Sequence, residues 1–544
     1  MTVMTTGEVI ADALVAHGVD TVFGIPGAHM YDFNDALARR GDDLRFITTR
    51  HEQGAGYMAF GYAKSTGRVG TYTVVPGPGV LNSGAALCTA YGATAPVLCL
   101  TGNIMSPLIG QGRGQLHELP DQLALLRGLT KWAERINHPT EAGMVMAEAF
   151  RQLRSGRVRP VAVEAPWDVF GQRAAVAAVP PLAPLPPPPV DPDAITAAAK
   201  LILAAKKPLI TVGAGALHAG DAVLALAKLL QAPVTAHRSG KGIVDDDSPY
   251  ALSMVAAWDY WQDCDLLIGI GSRLELQHFR WRWMPPELKV LRIDIDPTEM
   301  VRLKPTVGVV ADADAGTRAL LRELQGRIDV RSSREPQFTA LKARARERVR
   351  TVTPQIDYLD AIREVLPRDG FFVEEISQVG FTARLGFPVH APRQYVTCGY
   401  QDNLGFGFNT ALGAKVANPD RAVVSITGDG GFLFGVQELA TAVQYGINVV
   451  TVVFNNQGFG NVRRDQVERY GGRFLGAELR NPDFVKLAES FGALGLRART
   501  PAELRDALER AFAADVPAVI EVPLNRGSET SPWPFLHPDP PRQD

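Results

Sequence analysis

Cysteine is scarce in this chain of 544 residues. The four cysteines form no C-x-x-C pair and stand at Cys88, Cys99, Cys264 and Cys398. This spacing excludes a zinc knuckle and a disulfide framework, and we expect a reduced, cytoplasmic protein. The chain also lacks a run of 18 apolar residues, and its first 15 residues lack a basic stretch followed by an apolar one. We therefore expect neither a membrane-spanning helix nor a signal peptide.

The chain has no excess of charge of either sign. Its 56 lysines and arginines nearly balance its 58 aspartates and glutamates, and the net charge is −2. We therefore expect no nucleic-acid partner and no anionic membrane partner. Apolar residues make up 46% of the chain, which excludes wholesale disorder, and the length predicts three or four domains.

Proline marks the clearest domain boundary. A stretch of fourteen residues contains eight prolines and should form an extended linker. A later charged stretch predicts a linker helix, and the end of the chain is either a loose tail or a strap that carries Trp533 and Phe535. The chain thus divides into a first domain, a proline-rich linker, a middle domain, a linker helix, a third domain and a tail, at residues 1–178, 179–192, 193–335, 336–353, 354–525 and 526–544, respectively.

Apolar runs alternate with helical periods in all three domains, which is typical of α/β folds. The predicted buried strands are residues 71–75, 96–102, 160–166, 208–215, 265–272, 289–296, 422–428, 448–454 and 517–522. The first and third domains also end alike, with an amphipathic helix before a strand that finishes Glu-hydrophobic-Pro. We therefore expect these two domains to share one fold and to form a site between them.

The strongest chemical signal lies at the ends of two strands in the third domain. One strand runs into Gly428, Asp429, Gly430 and Gly431, and a helix is expected over 436–445. The next strand ends in Asn456 and Gly458. Because ligands bind at the carboxyl edge of parallel sheets, Asp429, Asn456 and the carbonyl of Gly458 could hold Mg²⁺ or Ca²⁺ through oxygen atoms. The glycine N–H groups would then approach a diphosphate, whereas the alternative is two plain turns without a ligand.

A GDG motif followed at this spacing by NN resembles the thiamine diphosphate signature. The resemblance covers nearly the whole chain, and the acetolactate synthase-like and benzaldehyde lyase-like group is the most similar. It implies three doubly wound parallel-sheet α/β domains, in the order pyrimidine-binding, middle Rossmann-like and diphosphate-binding. It also implies thiamine diphosphate and Mg²⁺ as cofactors, with Asp429, Asn456 and Gly458 as the metal ligands.

Further motifs extend the resemblance to individual cofactor contacts. The segment TRHEQGAGYMAFGYAK places on Glu52 the role of the glutamate that touches the cofactor's pyrimidine, and His51 is expected to pack beside it. The segment GYQDNLGFGFNTALG places Leu404 beneath the bent cofactor. The remaining cofactor contacts implied by the resemblance are Gly77, Asn82, Ser377, Gln378, Gly428, Gly430, Gly431, Phe459 and Gly460.

Two histidines are candidates for contact with the substrate. His29 lies in a Gly-Ala-His segment similar to one in benzaldehyde lyase, and His117 stands where that enzyme and acetolactate synthase place a glutamine. Either could move protons near neutral pH, and the alternative for each is a structural histidine.

Three departures from the acetolactate synthase pattern bear on the substrate and on a second cofactor. Asp465 stands where that pattern has a tryptophan, and Gln277 where it has an arginine. The missing arginine puts pyruvate in doubt, although Arg463 or Arg464 could replace it as the partner of a 2-oxo acid carboxylate. Residues 212–220 contain only a partial dinucleotide motif, so we expect no flavin (FAD), while a bound nucleotide stays open.

The resemblance implies an enzyme that makes or breaks a C–C bond next to a carbonyl, a carboligase or lyase acting on small-molecule carbonyl substrates. The alternatives are a 2-oxo acid decarboxylase, a flavin-containing acetolactate synthase or oxidase, and a non-catalytic homologue. Because the candidate groups lie in the first and third domains, the resemblance implies a homodimer or homotetramer with sites at the subunit interface.

Overall fold

The computed structural model describes residues 1–541 and contains three six-stranded parallel sheets, one in each predicted domain. The α/β fold class and its three doubly wound sheets are therefore confirmed. The four cysteines are unpaired. Within residues 1–541, the helices are all too short or too polar to cross a lipid bilayer.

The first domain places helices on both faces of its sheet. Its strands are β1 (Thr2–Thr5), β2 (Thr21–Gly24), β3 (Arg45–Thr48), β4 (Gly70–Val74), β5 (Val97–Asn103), β6 (Trp132–Arg135), β7 (Val161–Pro166) and β8 (Arg173–Val176). Its helices are α1 (Thr6–Ala16), α2 (Tyr31–Ala38), α3 (Glu52–Thr66), α4 (Pro78–Gly92), α5 (Gln122–Leu129), α6 (Pro139–Arg154) and α7 (Trp167–Phe170). The sheet order is β3-β2-β4-β5-β7-β6, and β1 pairs with β8 in a separate antiparallel ribbon.

The middle domain has the strand order of a dinucleotide-binding fold. Its strands are β9 (Pro208–Val212), β10 (Val234–Ala236), β11 (Ala251–Leu252), β12 (Leu266–Ile270), β13 (Lys289–Asp294) and β14 (Val307–Val310). Its helices are α8 (Pro192–Ala204), α9 (Gly220–Leu230), α10 (Met254–Trp261), α11 (Ala313–Leu324) and α12 (Glu335–Val349). The order β11-β10-β9-β12-β13-β14 corresponds to 3-2-1-4-5-6 when the strands are numbered along the chain.

The third domain repeats the topology of the first. Its strands are β15 (Phe371–Glu374), β16 (Tyr395–Thr397), β17 (Val423–Gly428), β18 (Val450–Asn455), β19 (Leu494–Arg497) and β20 (Ala518–Pro523). Its helices are α13 (Gln355–Val365), α14 (Gln378–Gly386), α15 (Gly407–Ala417), α16 (Asp429–Phe432), α17 (Leu439–Tyr445), α18 (Gly460–Tyr470), α19 (Phe484–Ser490), α20 (Pro501–Ala514) and α21 (Trp533–Leu536). The order β16-β15-β17-β18-β20-β19 has the same 2-1-3-4-6-5 pattern as the first sheet, as the terminal repeat predicts.

Two equivalent helices join the first and third domains. Helix α3 follows the second parallel strand of the first sheet, and α15 follows the second strand of the third sheet. A Cβ atom at Gly61 would overlap the carbonyl of Thr410, and one at Gly413 would overlap the carbonyl of Met58. Glycine at these two positions therefore lets the helix backbones touch, and the two domains share one apolar core.

The segments between the domains pack as follows. Residues 177–191 contain no helix or strand, in keeping with an extended linker. The charged helix that follows the middle domain, α12, buries Phe338, Leu341, Ala345 and Val349 in the middle-domain core. It therefore belongs structurally to that domain.

Candidate active site

Glu52 stands at the first position of α3, at the carboxyl edge of the first sheet. The Nδ1 atom of His51 accepts a hydrogen bond from the N–H of Gln53 and caps the helix, so this histidine lies beside Glu52 as expected. The N–H groups of Arg50 and His51 each donate to the buried carboxylate of Glu438 in the third domain, at 2.9 Å. The position of Glu52 is therefore fixed by both domains.

The loop after β4 brings two other predicted residues to Glu52. The Nδ2 atom of Asn82 donates to Glu52 Oε2 at 3.0 Å. Gly77 has a φ of +62°, and a Cβ atom there would lie 2.5 Å from the carbonyl oxygen of His117. A side chain at position 77 would clash with this carbonyl, so the position requires glycine. The contacts also show that the first-domain candidates lie in one region: Glu52, Gly77, Asn82 and His117.

The two candidate histidines lie next to each other. The ring centroids of His29 and His117 are 5.5 Å apart, and Trp167 stands edge-on to His29 at 5.1 Å. Burial lowers the pKa of His29, although its hydrogen bond to the Leu116 carbonyl opposes this shift. Because a carbonyl only accepts, Nε2 of His29 carries the proton in this 3.0 Å bond, and its buried Nδ1 has no partner among residues 1–541. A neutral imidazole with a free nitrogen can accept a proton. Trp167 was not among the candidate residues, because no motif in the sequence pointed to it.

Asp429 lies directly at the end of β17, where the short helix α16 begins at once. The helix expected over 436–445 is a separate element, a 3₁₀ turn at Val436–Glu438 followed by α17. Its side chain is 1% exposed. Its Oδ2 atom accepts hydrogen bonds from the N–H of Gly458 at 3.1 Å and from Nδ2 of Asn481 at 2.6 Å. The structure thus brings Asp429 and Gly458 together through the N–H of Gly458, whereas the prediction concerned its carbonyl, and it adds Asn481, which the sequence did not reveal.

Asn456 presents a free oxygen beside this group. Its Nδ2 atom donates to Oε2 of Glu529 at 2.6 Å, and its buried Oδ1 atom has no hydrogen-bond partner within residues 1–541. A Cβ atom at Gly460 would lie 3.0 Å from Asn456 Nδ2 and 3.4 Å from Gln378. A Cβ atom at Gly430 would overlap the ring of Phe459, and one at Gly428 would lie 3.6 Å from Ser377. Six other predicted residues of the third domain therefore lie around the same turn: Ser377, Gln378, Gly428, Gly430, Phe459 and Gly460.

The electrostatics of this group suit a cation. Burial raises the pKa of Asp429. Burial, together with the charge of Asp429, also raises the pKa of Glu529, whereas the bond to Asn456 opposes that shift. A divalent cation would offset the repulsion between the two carboxylates and would give the Asn456 oxygen a partner. The hard oxygen donors of Asp429, Asn456 and Gly458 therefore fit Mg²⁺.

A half-buried carboxylate, Asp402, and a buried one, Glu375, flank the segment that carries Leu404. Burial alone would raise the pKa of Asp402, but the positive charges of Arg384 and Arg238 lower it to about 2. Their guanidinium groups lie 2.7 and 2.9 Å from the oxygens of Asp402. On the other side, Glu375 accepts hydrogen bonds from the N–H groups of Gly405 and Gly407 at 2.6 and 3.3 Å. Half-buried Leu404 is thus held by its neighbours on both sides.

The C-terminal segment is a strap across the third domain. Arg526 donates to the carbonyl of Gln457 at 2.8 Å, and Nε1 of Trp533 donates to Asn461 Oδ1 at 2.8 Å. His537 lies 3.0 Å from the guanidinium of Arg280 in the middle domain. Of the two interpretations of residues 526–544, the contacts of 526–537 favour the strap; the last three residues lie outside the described part of the chain.

The positions that depart from the acetolactate synthase pattern are separated in space. Gln277 is buried and donates to Thr211 at 2.8 Å. Asp465 accepts from Arg464 at 2.6 Å. The guanidinium of Arg464 lies 4.1 Å from the Trp533 ring, and its Nε atom lies 3.6 Å from Oε2 of Glu468. Within the described chain its buried Nη1 atom has no hydrogen-bond partner, so Arg464 keeps one donor for an anion although two carboxylates already lie beside its charge.

A cavity of about 600 Å³ opens at the carboxyl edge of the middle sheet, apart from the residues around Glu52 and Asp429. Its lining includes Gly213 and Gly215 from the partial dinucleotide motif, and residues of the first domain. His218, where that motif would need glycine, bonds to Asp312 at 2.8 Å. Arg393, Gly399 and Tyr400 of the third domain also line it, so the cavity is a separate pocket where the three domains meet.

Comparison with known proteins agrees with this arrangement. The N-terminal TPP-binding domain of thiamine pyrophosphate enzymes matches residues 4–125, their central domain matches 195–322, and their C-terminal TPP-binding domain matches 375–522. The chain belongs to the thiamine pyrophosphate enzyme family, and the predicted thiamine diphosphate cofactor is confirmed.

Within that family, the chain is similar to acetolactate synthases along its length. It is 34% identical to a probable acetolactate synthase large subunit of Methanocaldococcus jannaschii, over 96% of this chain and 92% of that one. It is 32% identical to the acetolactate synthase large subunit of Haemophilus influenzae, over 94% and 92%. It is also 33% identical to a probable 2-ketoarginine decarboxylase of Pseudomonas aeruginosa, over 93% and 91%. The prediction of an acetolactate synthase-like, thiamine diphosphate-dependent enzyme is thereby confirmed.

Proposed function

We propose that the chain is a Mg²⁺-dependent carboligase or lyase that acts on 2-oxo acids or 2-hydroxy ketones at the bond next to the carbonyl. The observation that carries this proposal is the buried Oδ1 of Asn456, which has no hydrogen-bond partner among residues 1–541 and belongs to the same group of residues as the buried carboxylate of Asp429. When bound, thiamine diphosphate would supply the carbanion chemistry. Asp429, Asn456 and Gly458 would hold the cation and through it the diphosphate.

The protein's own part is to position the cofactor and to move protons. Glu52 would hold a proton shared with N1′ of the pyrimidine, and Asn82 orients its carboxylate through the 3.0 Å bond. Leu404 would hold the cofactor bent, because its flanking residues are fixed by Asp402 and Glu375. His29, neutral and with Nδ1 free, would accept or return a proton at the substrate oxygen.

The unbonded Nη1 atom of Arg464 supports a 2-oxo acid as one substrate. A guanidinium N–H can donate to a carboxylate, and Nη1 has no hydrogen-bond partner among residues 1–541. The decarboxylase alternative gains support from the Pseudomonas aeruginosa relative, whose name gives 2-ketoarginine as its substrate. Loss of CO₂ from a 2-oxo acid could thus complete the reaction or precede a ligation.

We further propose that the working unit is a homodimer or a pair of dimers. Within one chain, Glu52 forms its side-chain hydrogen bond with Asn82 and none with the described residues around Asp429. Large apolar side chains are exposed near both groups, including Leu81 and Leu116 in the first domain and Phe434 and Leu475 in the third. A second copy could cover these side chains and complete each site.

A product screen tests the proposed reaction. The purified protein, with thiamine diphosphate and Mg²⁺, is incubated with pyruvate, 2-ketoarginine, benzoylformate, glyoxylate, benzoin and short aldehydes, and products are identified by mass spectrometry. We expect turnover that Asp429→Ala abolishes and that Asp506→Ala, an exposed change on α20, leaves intact. Metal-dependent cofactor binding without any turnover would support a non-catalytic homologue instead.

A complementation experiment tests the shared site. Glu52→Gln and Asp429→Ala variants are each inactive if both groups are needed. After the two are mixed and allowed to exchange subunits, each hybrid dimer contains one intact site. Recovery of activity supports a site between subunits, and its absence despite proven exchange contradicts it.

The cavity in the middle domain supports the alternative of a bound nucleotide, including a flavin. The purified protein should be examined for absorbance near 450 nm and, after denaturation, for released nucleotide by mass spectrometry. Absorbance at that wavelength would contradict our expectation that FAD is not bound.

A further inference from the structure

Glu529 fixes the orientation of the Asn456 amide. An amide group has a donor end and an acceptor end, whereas an ionised carboxylate only accepts. Since Oε2 of Glu529 lies 2.6 Å from Nδ2 of Asn456, the amide must turn its Oδ1 atom away from the carboxylate. That oxygen is the buried atom without a partner among residues 1–541.

The strap holds Glu529 in this place from both sides. On one side Arg526 donates to the carbonyl of Gln457, the residue next to Asn456. On the other, the N–H of Thr530 donates to the carbonyl of Thr353 at 2.9 Å, and its own carbonyl accepts from Gln355 at 2.6 Å. These contacts fix the backbone of the strap on both sides of Glu529 and so keep its carboxylate within reach of Asn456.

We infer that Glu529 is a positioning residue that directs Asn456 Oδ1 at the cation of the diphosphate site, and that cation binding in turn tightens the strap. This inference rests on the proposed metal site. A cation on Oδ1 draws electrons from the amide, so its N–H becomes a stronger donor to Glu529. The coupling is reciprocal: if the Glu529 carboxylate increases the affinity for the cation, the bound cation strengthens the attachment of the strap by the same free energy.

Glu529→Gln is the main test, because glutamine keeps the size of the side chain but can face Asn456 with either end. Thiamine diphosphate binding is measured by calorimetry over a series of Mg²⁺ concentrations. We expect the Mg²⁺ concentration at half-maximal binding to rise about 10-fold or more, the effect that loss of a metal ligand's supporting partner usually has. Glu509→Gln, an exposed change on α20, should leave it unchanged.

Trypsin supplies a readout that is independent of catalysis. Cleavage after Arg526, an exposed residue, releases the strap and is followed by mass spectrometry. In the wild-type protein, thiamine diphosphate and Mg²⁺ together should slow this cleavage several-fold. In Glu529→Gln at saturating cofactor, the slowing should be largely lost.

The outcomes separate this inference from the proposed function. Wild-type failure to bind the cofactor with Mg²⁺ overturns both. Wild-type binding with an unchanged Mg²⁺ requirement and unchanged protection in Glu529→Gln overturns this inference alone. If that variant does not fold, Glu529→Asp, which shortens the side chain by one carbon, must show the same raised Mg²⁺ requirement, and wild-type values there would overturn the inference.

Discussion

The buried Glu375 should make the stability of the protein depend on pH. Its side chain is fully buried beneath the segment of Leu404 and accepts hydrogen bonds from Gly405, Gly407 and the hydroxyl of Thr427. Burial raises the pKa of Glu375 to about 7, from an ordinary 4.5, despite these bonds. Glu375→Gln keeps the shape of the side chain and removes its titration.

The sign and the size of the effect follow from the two pKa values. Below pH 4.5 the carboxyl is protonated in both the folded and the unfolded chain, and its contribution to stability is fully present. As the pH rises from 4.5 to 7, the unfolded chain loses the proton first, so the free energy of unfolding falls. At about 1.4 kcal/mol per pKa unit, the loss is roughly 3 kcal/mol, complete just above pH 7.

Urea unfolding of the wild-type protein and of Glu375→Gln, followed by tryptophan fluorescence between pH 5 and 8, measures this loss. The wild-type free energy of unfolding should fall relative to that of the variant as the pH rises. Glu364→Gln, a change at an exposed salt bridge with Arg505, is the control: it keeps Glu375, so its free energy of unfolding should fall with pH as that of the wild type does. A difference between wild type and Glu375→Gln that stays constant from pH 5 to 8 would refute the reasoning.

Three further changes test the site and the domain contact. Glu52→Gln should still bind thiamine diphosphate but should slow hydrogen–deuterium exchange at C2 of the cofactor by orders of magnitude in NMR; a wild-type exchange rate would remove this role from Glu52. His29→Ala should reduce turnover more than cofactor binding in steady-state kinetics and calorimetry, and full turnover would leave His29 a structural residue. Gly61→Ala should lower the free energy of unfolding by about 1–3 kcal/mol, because the added Cβ atom meets the Thr410 carbonyl. Gly386→Ala adds its Cβ atom to open space and should lower the free energy of unfolding by less. Equal losses in the two variants, measured by urea unfolding, would contradict tight contact between α3 and α15.

The strands could be predicted from the sequence because buried parallel strands read as continuous apolar runs. The predicted strand 160–166 is β7, Val161–Pro166, and the predicted strand 448–454 is β18, Val450–Asn455. The helix at Asp429 was missed because three glycines surround that residue and glycine disfavours helices in isolation. There the end of a buried strand determines the backbone path, and local propensity does not.

The candidate site, too, could be predicted from the sequence only in part. Asp429 and Asn456 could be placed together because both follow strands of one parallel sheet. Three other residues could not be placed from the sequence: Asn481 lies in a loop, Glu529 in the C-terminal strap and Trp167 in a helix of only four residues. Such segments have no periodicity that would show where they fold back, and only the tertiary structure brings their side chains to the site.

The contact between α3 and α15 is symmetric, although both helices belong to a single polypeptide. Gly61 touches Thr410 and Met58 touches Gly413, and the same shift of 352 residues relates Gly61 to Gly413 and Met58 to Thr410. A contact of this reciprocal kind is what two identical subunits make across a two-fold axis. The first and third domains thus form a pseudo-dimer built from one chain.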